Sequence, residues 1–189
     1  MSDLRLFVAV TLPDAVRARL ARAQERLRAV QADVSWVKPE NIHLTLKFIG
    51  ETEVKRLPRI QAALQGVGAE VAAFALMLAG VGTFGGRVPR VVWAGTAEGA
   101  EALATLAGRV DDALGRVGIA KERRAFSPHA TLGRVRSPRN AEALVAAAAA
   151  LDETFGRVAV GEFVLMQSRL HPQGSVYTPL DRVALQPAG

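Results

Sequence analysis

His43-Leu44-Thr45-Leu46 and His129-Ala130-Thr131-Leu132 are two copies of one pattern, His-x-Thr-x, standing 86 residues apart in a chain of 189. Each lies in a run of strand-forming residues, each follows a turn that carries proline (Pro39, Pro128), and each precedes a helical stretch. A repeat at nearly half the chain length marks a duplicated unit, or two units meeting about a pseudo-twofold axis. Side chains alternate faces along a strand. His43 and Thr45 therefore share one face, and Leu44 and Leu46 the other. The same holds for His129 and Thr131 against Ala130 and Leu132. Each strand thus offers one imidazole and one hydroxyl on a polar face, and an apolar face to a core.

Around these strands the pattern predicts further elements. Residues 4–11 read as a strand, and Pro13-Asp14 open a helix to about residue 30, with Val16, Leu20, Leu27 and Val30 at helical spacing. Residues 34–37 are extended, 39–41 turn, and 42–49 form the strand of the first motif. Thr52 caps a helix to about 64. Residues 72–81 and 89–94 are strands on either side of a glycine-rich loop, 82–86. A helix spans 98–117, a basic loop 121–128, and the second motif's strand 129–135. Ser137-Pro138 set up a helix to about 151. Residues 157–170 and 176–185 are strands joined by His171-Pro172-Gln173-Gly174. Strands with intervening helices and a closing hairpin argue for an α+β fold with antiparallel sheet. No dinucleotide fingerprint or phosphate-binding loop follows any strand.

Composition narrows the chemistry. The chain has no cysteine, which excludes disulfide scaffolds, thiol nucleophiles and cysteine-bearing zinc or iron–sulfur sites. Its three histidines have no metal-ligand spacing, so neither metal nor other cofactor is expected. The 24 basic residues against 18 acidic give +6, and twenty of the 24 are arginine. Arginine is the planar, bidentate partner of phosphate, although a GC-rich genome would also raise Arg and Ala together. The N-terminal apolar run is too short for a signal sequence. The Ala146–Ala150 tract falls far short of the ~20 apolar residues of a membrane span. A cytoplasmic monomer with no membrane attachment is the expectation.

Two histidines and two threonines facing one another across a groove suit phosphodiester hydrolysis. A neutral imidazole takes a proton from water, and a protonated one gives a proton to the leaving oxygen. Imidazole titrates near 6.5, so a pair supplies both near neutrality. The hydroxyls of Thr45 and Thr131 can donate to the non-bridging phosphate oxygens. Nothing in the motifs orders the two histidines' roles.

The chain resembles the 2H phosphoesterases, specifically the bacterial and archaeal RNA 2′,3′-cyclic phosphodiesterases also called 2′-5′ RNA ligases. The resemblance covers nearly the whole chain. Arg5 to Val10 is similar to the family's first strand, and Trp36 to Gly50 to its first motif in almost every position. Pro89 to Gly95 is similar to its central strand, Phe126 to Arg134 to its second motif, and Ser168-Arg169-Leu170 with Gly174-Ser175-Val176-Tyr177 to its ending.

The resemblance implies a single bilobal domain over residues 1–189. Each lobe would be an antiparallel sheet with helices outside, related by a pseudo-twofold axis, with the active-site groove between. It implies hydrolysis of RNA 2′,3′-cyclic phosphate ends to 2′-phosphomonoesters without metal, and a weak reverse 2′-5′ joining. It makes His43 the proton donor and His129 the acceptor, and places a phosphate-binding arginine at Arg134. Phe48 and Phe126 flank the motifs where a base could stack or the core could be packed. Ser168 and Tyr177 are candidate substrate-binding residues. His171 reads as a surface turn residue, and Lys121 to Arg124 as a loop that is either solvated or steers RNA. The partner is an RNA end or a small cyclic nucleotide such as ADP-ribose 1″,2″-cyclic phosphate. A non-catalytic RNA-binding module would have no need of paired imidazoles.

Overall fold

In a computed structural model, residues 3–86, 88–172 and 174–188 are described; Gln173, in the turn expected at 171–174, lies outside them. Strand β1 (Leu4–Thr11) turns Leu6, Val8 and Val10 to the apolar face. Helix α1 (Asp14–Arg28) lays Val16, Leu20, Ala23 and Leu27 on it, the stripe that 3.6-residue spacing requires. There follow β2 (Val34–Trp36), β3 (His43–Thr52), α2 (Leu57–Gly68), β4 (Phe74–Phe84) and β5 (Val91–Glu98). The chain continues with α3 (Ala100–Arg116), β6 (His129–Val135), α4 (Ala141–Ala149), β7 (Thr154–Val160), β8 (Glu162–Arg169) and β9 (Val176–Ala184). All four helices contribute to one hydrophobic cluster on one face of the sheet: Leu20, Leu64, Leu106 and Leu144 belong to it and are fully buried. No helix among the described residues is long and apolar enough to cross a membrane.

The named strands all pair antiparallel, in the order β7-β4-β5-β6-β3-β1-β8-β9, with β2 also on β6. The expected two sheets are therefore one curled sheet. What joins them is a single residue pair, Leu44 with Ala130, one from the centre of each motif. Both side chains are fully buried, so burial of the two apolar faces against one core draws the motif strands together.

Several boundaries differ from the sequence pattern. Strand β3 continues through Gly50 to Thr52, so the helix expected from Thr52 begins at Leu57 instead. Strand β4 runs on through Gly82, Thr83 and Phe84, which the glycine content had suggested as loop. Helix α4 starts at Ala141 rather than after Ser137. Asn140 holds a left-handed conformation (φ 53°) while its side-chain amide donates to the carbonyls of Val30 and Gln31. The single strand expected over 157–170 is two. Gly161 separates β7 from β8, which pair with β4 and β1 in different halves of the strand order.

Candidate active site

The Leu44–Ala130 pair fixes the geometry of both motifs. In an antiparallel register centred on it, His43 lies alongside Thr131 and Thr45 alongside His129. With Leu44 and Ala130 turned into the core, the four polar side chains share the opposite face.

Each motif strand then carries an irregularity at the same place. Opposite β1, Val8 pairs with Lys47 and Ala9 with Thr45, which leaves Leu46 as an extra residue. Opposite β5, Val92 pairs with Gly133 and Trp93 with Thr131, which leaves Leu132 as the extra residue. A bulge of this kind resets the alternation of faces and re-aims the side chains beyond it. The third residue after each threonine is thereby returned to the polar face. In the first motif that residue is Phe48, and in the second it is Arg134. Both line the same cavity. In an unbroken strand, the odd spacing of His129 and Arg134 would have put them on opposite faces.

The surroundings accommodate both bulges. The carbonyl of Leu132 accepts from the backbone N–H of Val37 (2.9 Å) and from the side chain of buried Gln24 (2.8 Å). A Cβ on Gly133 would come within 2.6 Å of Val34 Cγ1, so only glycine lets β2 pack there. Lys47 occupies the matching place in the first motif and is turned inward. Its ammonium is neutralised by Asp111 at 2.5 Å and also donates to the carbonyl of Ala120 at 2.7 Å.

The two imidazoles are held in the same way. His43 Nδ1 is 2.7 Å from the carbonyl of Asn41, and His129 Nδ1 is 2.7 Å from the carbonyl of Ser127, in each case two residues upstream. A carbonyl only accepts, so Nδ1 carries the proton in both rings and Nε2 is the nitrogen left to the polar face. His43 Nε2 lies 2.9 Å from Thr45 Oγ1. No hydrogen-bond partner among the described residues reaches His129 Nε2. Burial pushes the pKa of His43 below the ordinary imidazole value, with the Asn41 hydrogen bond opposing.

A cavity of about 500 Å³ opens on this face, lined by His43, Thr45, Phe48, Thr131, Arg134, Ser168 and Tyr177, together with Phe7 and Asn41. Phe7 stacks 5.0 Å from His43, and Tyr177 stands edge-on to it at 5.4 Å. Phe48 is 61% exposed, a ring presented to solvent rather than packed. Phe126 is not among the lining residues and packs against the hydrophobic cluster. His129 stands at the other side of Thr131, with Phe84 edge-on to it at 5.0 Å. Lys121 pairs with Asp112, whereas Arg123 and Arg124 are exposed.

Phe7, Phe84 and Gln24 carry no motif and escape a reading of the sequence, and Asn41, inside the first-motif stretch, reads there only as a turn residue. Phe7 is hidden because β1 is apolar on both faces, so its alternation gives no sign. Phe84 is hidden because the glycines after it suggest a loop.

Comparison with known proteins identifies the family. The family described as LigT like Phosphoesterase matches residues 10–93 and 95–177. An RNA 2′,3′-cyclic phosphodiesterase of Methanothermobacter thermautotrophicus is 34% identical over 180 residues, covering 94% of this chain and 97% of the relative. The crystal structure of TT0787 of Thermus thermophilus superposes with a TM-score of 0.81 at 32% identity, covering 98% of this chain and all of that one. That of E. coli LigT complexed with 3′-AMP gives 0.76 at 29%, covering 97% and 98%.

Proposed function

The chain belongs to the LigT-like phosphoesterases, and from that membership we propose that it hydrolyses 2′,3′-cyclic phosphate ends of RNA to 2′-phosphomonoesters with His43 as acid and His129 as base. The observation that carries this reading is the matched tethering of both imidazoles by Nδ1, which leaves two Nε2 atoms for proton transfer on the face they share. His129 Nε2 takes a proton from water as the water oxygen bonds to phosphorus. The bond from phosphorus to the 3′-oxygen breaks, and His43 Nε2 delivers a proton to that oxygen. Thr45, Thr131 and the Arg134 guanidinium bind the non-bridging oxygens as charge builds on them. No metal enters this scheme.

The strand order supports two lobes, β7-β4-β5-β6 and β3-β1-β8-β9, within one domain over residues 1–189. A pseudo-twofold axis would pass near the Leu44–Ala130 pair, with the catalytic groove along it. The matching bulges after Thr45 and Thr131 favour this symmetry. Phe48, Ser168 and Tyr177 are placed to receive the terminal nucleoside, Phe48 by stacking its base. RNA ends are the favoured substrate because curated relatives carry that name and the cavity is edged with arginine. Small cyclic nucleotides present the same phosphate and would also enter. Joining of ends by a 2′-5′ bond would use the same groups in reverse. It is disfavoured by mass action against about 55 M water.

The test is turnover of adenosine 2′,3′-cyclic phosphate by purified protein in EDTA, with the product isomer identified. The expected product is the 2′-phosphate, formed at the same rate with or without chelator. A 3′-phosphate, or activity lost to EDTA and restored by a divalent ion, overturns the mechanism.

The pH profile gives a second prediction. As the acid, His43 must be protonated, and that form is lost as pH rises through its pKa. In the free protein burial holds this pKa below 6.5. The negative charge of bound phosphate raises it. The activity profiles are bell-shaped, with limbs that belong to the His43–His129 pair, and the His43 imidazole itself, followed by NMR, titrates at higher pH with 3′-AMP bound than in the free protein. A His43 titration that bound nucleotide leaves unmoved or lowers would remove it from the role of acid.

A further inference from the structure

A second concavity of about 480 Å³ adjoins the catalytic cavity. The two share Val37, Asn41, Arg134, Ser175 and Tyr177, so they form one continuous depression. The new part adds Lys38 and Arg136 to the wall. Among the described residues no carboxylate lies within 4.0 Å of the cationic nitrogens of Lys38, Arg134 or Arg136. Three cations without acidic partners therefore lead away from the histidines.

Their spacing is set by the sheet. Beyond the bulge at Leu132 the chain is again extended, with Arg134 opposite Ser35 and Val135 opposite Val34. Arg136 follows the last residue of β6, two residues beyond Arg134, and both line the second concavity; along an extended chain at about 3.3 Å per residue their backbones are ~6.6 Å apart. That is close to the step between neighbouring phosphates of an extended nucleotide chain. Arg136 is held in place, its backbone N–H by the carbonyl of Asp33 (2.8 Å) and its guanidinium by Ser35 Oγ (3.0 Å).

We propose that this second concavity is a subsite for the phosphodiester immediately 5′ of the terminal nucleotide, gripped by Lys38 and Arg136 while Arg134 holds the cyclic phosphate. The inference rests on the reading that the histidines bind a 2′,3′-cyclic end, and it deepens it: the substrate is an oligonucleotide end rather than a free cyclic mononucleotide. Among the described residues, Arg5 is the one other cation that lines the catalytic cavity. Lys38 and Arg136 do not touch the reacting phosphate, so they set substrate length and not the chemistry.

The experiment compares adenosine 2′,3′-cyclic phosphate with the dinucleotide ApA bearing the same cyclic end, on the wild-type protein and on a Lys38→Gln/Arg136→Gln variant. In the wild type the dinucleotide has the larger kcat/KM by about tenfold at low salt, the scale of a charge-assisted contact, and the advantage shrinks as salt rises. In the variant the two substrates become equal while the mononucleotide constants are unchanged. A neutral methylphosphonate linkage in the dinucleotide abolishes the advantage in the wild type too. Equal wild-type constants, an advantage that survives in the variant, or one that survives the neutral linkage each overturns the subsite. Calorimetry with 3′-AMP and with 3′-phosphorylated ApA reads the same ratio without turnover. If neither cyclic substrate is hydrolysed but the binding ratio behaves as stated, the reaction is misread and the subsite stands. If hydrolysis is normal and the ratio is absent, the subsite alone fails.

Discussion

Replacing His43 or His129 with alanine is expected to lower kcat by ~10²–10⁴, the scale of losing a general acid or base. In the proposed mechanism both imidazoles serve one reaction, so the double variant should lose far less than the product of the single losses. The two positions differ in what else the ring does. Both residues are half-buried, but His43 packs against two aromatic rings, Phe7 and Tyr177, so His43→Ala also leaves a void between them. His129 has Phe84 edge-on to it. The His43 variant should therefore melt lower than the His129 variant, although their losses in kcat are similar. Steady-state rates read below both melting temperatures separate lost chemistry from lost fold. Near-normal turnover in either folded single variant would sink the two-histidine mechanism.

What the sequence makes legible here is local periodicity. The strand of each motif, the apolar stripe of α1 and the basic loop before His129 follow from spacing alone. The motif carries its own consequence too, because His-x-Thr on any strand puts imidazole and hydroxyl on one side. What escapes is set by partners distant in the chain. That two sheets become one depends on Leu44 meeting Ala130, and neither residue has a local feature that announces the other. The bulges escape for a related reason. A reading by twos assigns Leu46 and Lys47 to opposite faces, whereas the structure buries both and charge-pairs Lys47 with Asp111. A lysine between an apolar residue and an exposed phenylalanine is the one trace of this in the sequence. Gly161 fails as a signal because the residues on either side both favour strands. Only the destinations of β7 and β8 show that the strand is broken.

The bulge at Leu132 makes Arg134 the next most consequential position. Arg134→Ala is expected to lower kcat/KM on a cyclic mononucleotide by about 10- to 100-fold, following the roughly 1.5–3 kcal/mol of a charge-assisted contact. The loss should appear mostly as raised KM with some fall in kcat, because the guanidinium meets the phosphate both before and during its change of geometry. The competing expectation is an exposed strand-end arginine in solvent, worth almost nothing. Parity alone would favour it, since five residues separate Arg134 from His129. The register shift between Val92 and Trp93 reverses that parity and turns Arg134 into the cavity with Thr131. Arg134→Lys should recover only part of the loss, because an ammonium keeps the charge but lacks the planar fork. Using the mononucleotide keeps the measurement independent of the neighbouring Lys38 and Arg136. The backbone of β6 is held by β2, β5 and Gln24, none of which needs the Arg134 side chain, so the melting temperature should stay near wild type. Wild-type KM and kcat in Arg134→Ala would move the phosphate clamp to the two threonines and to Arg123 and Arg124 in the loop before the second motif.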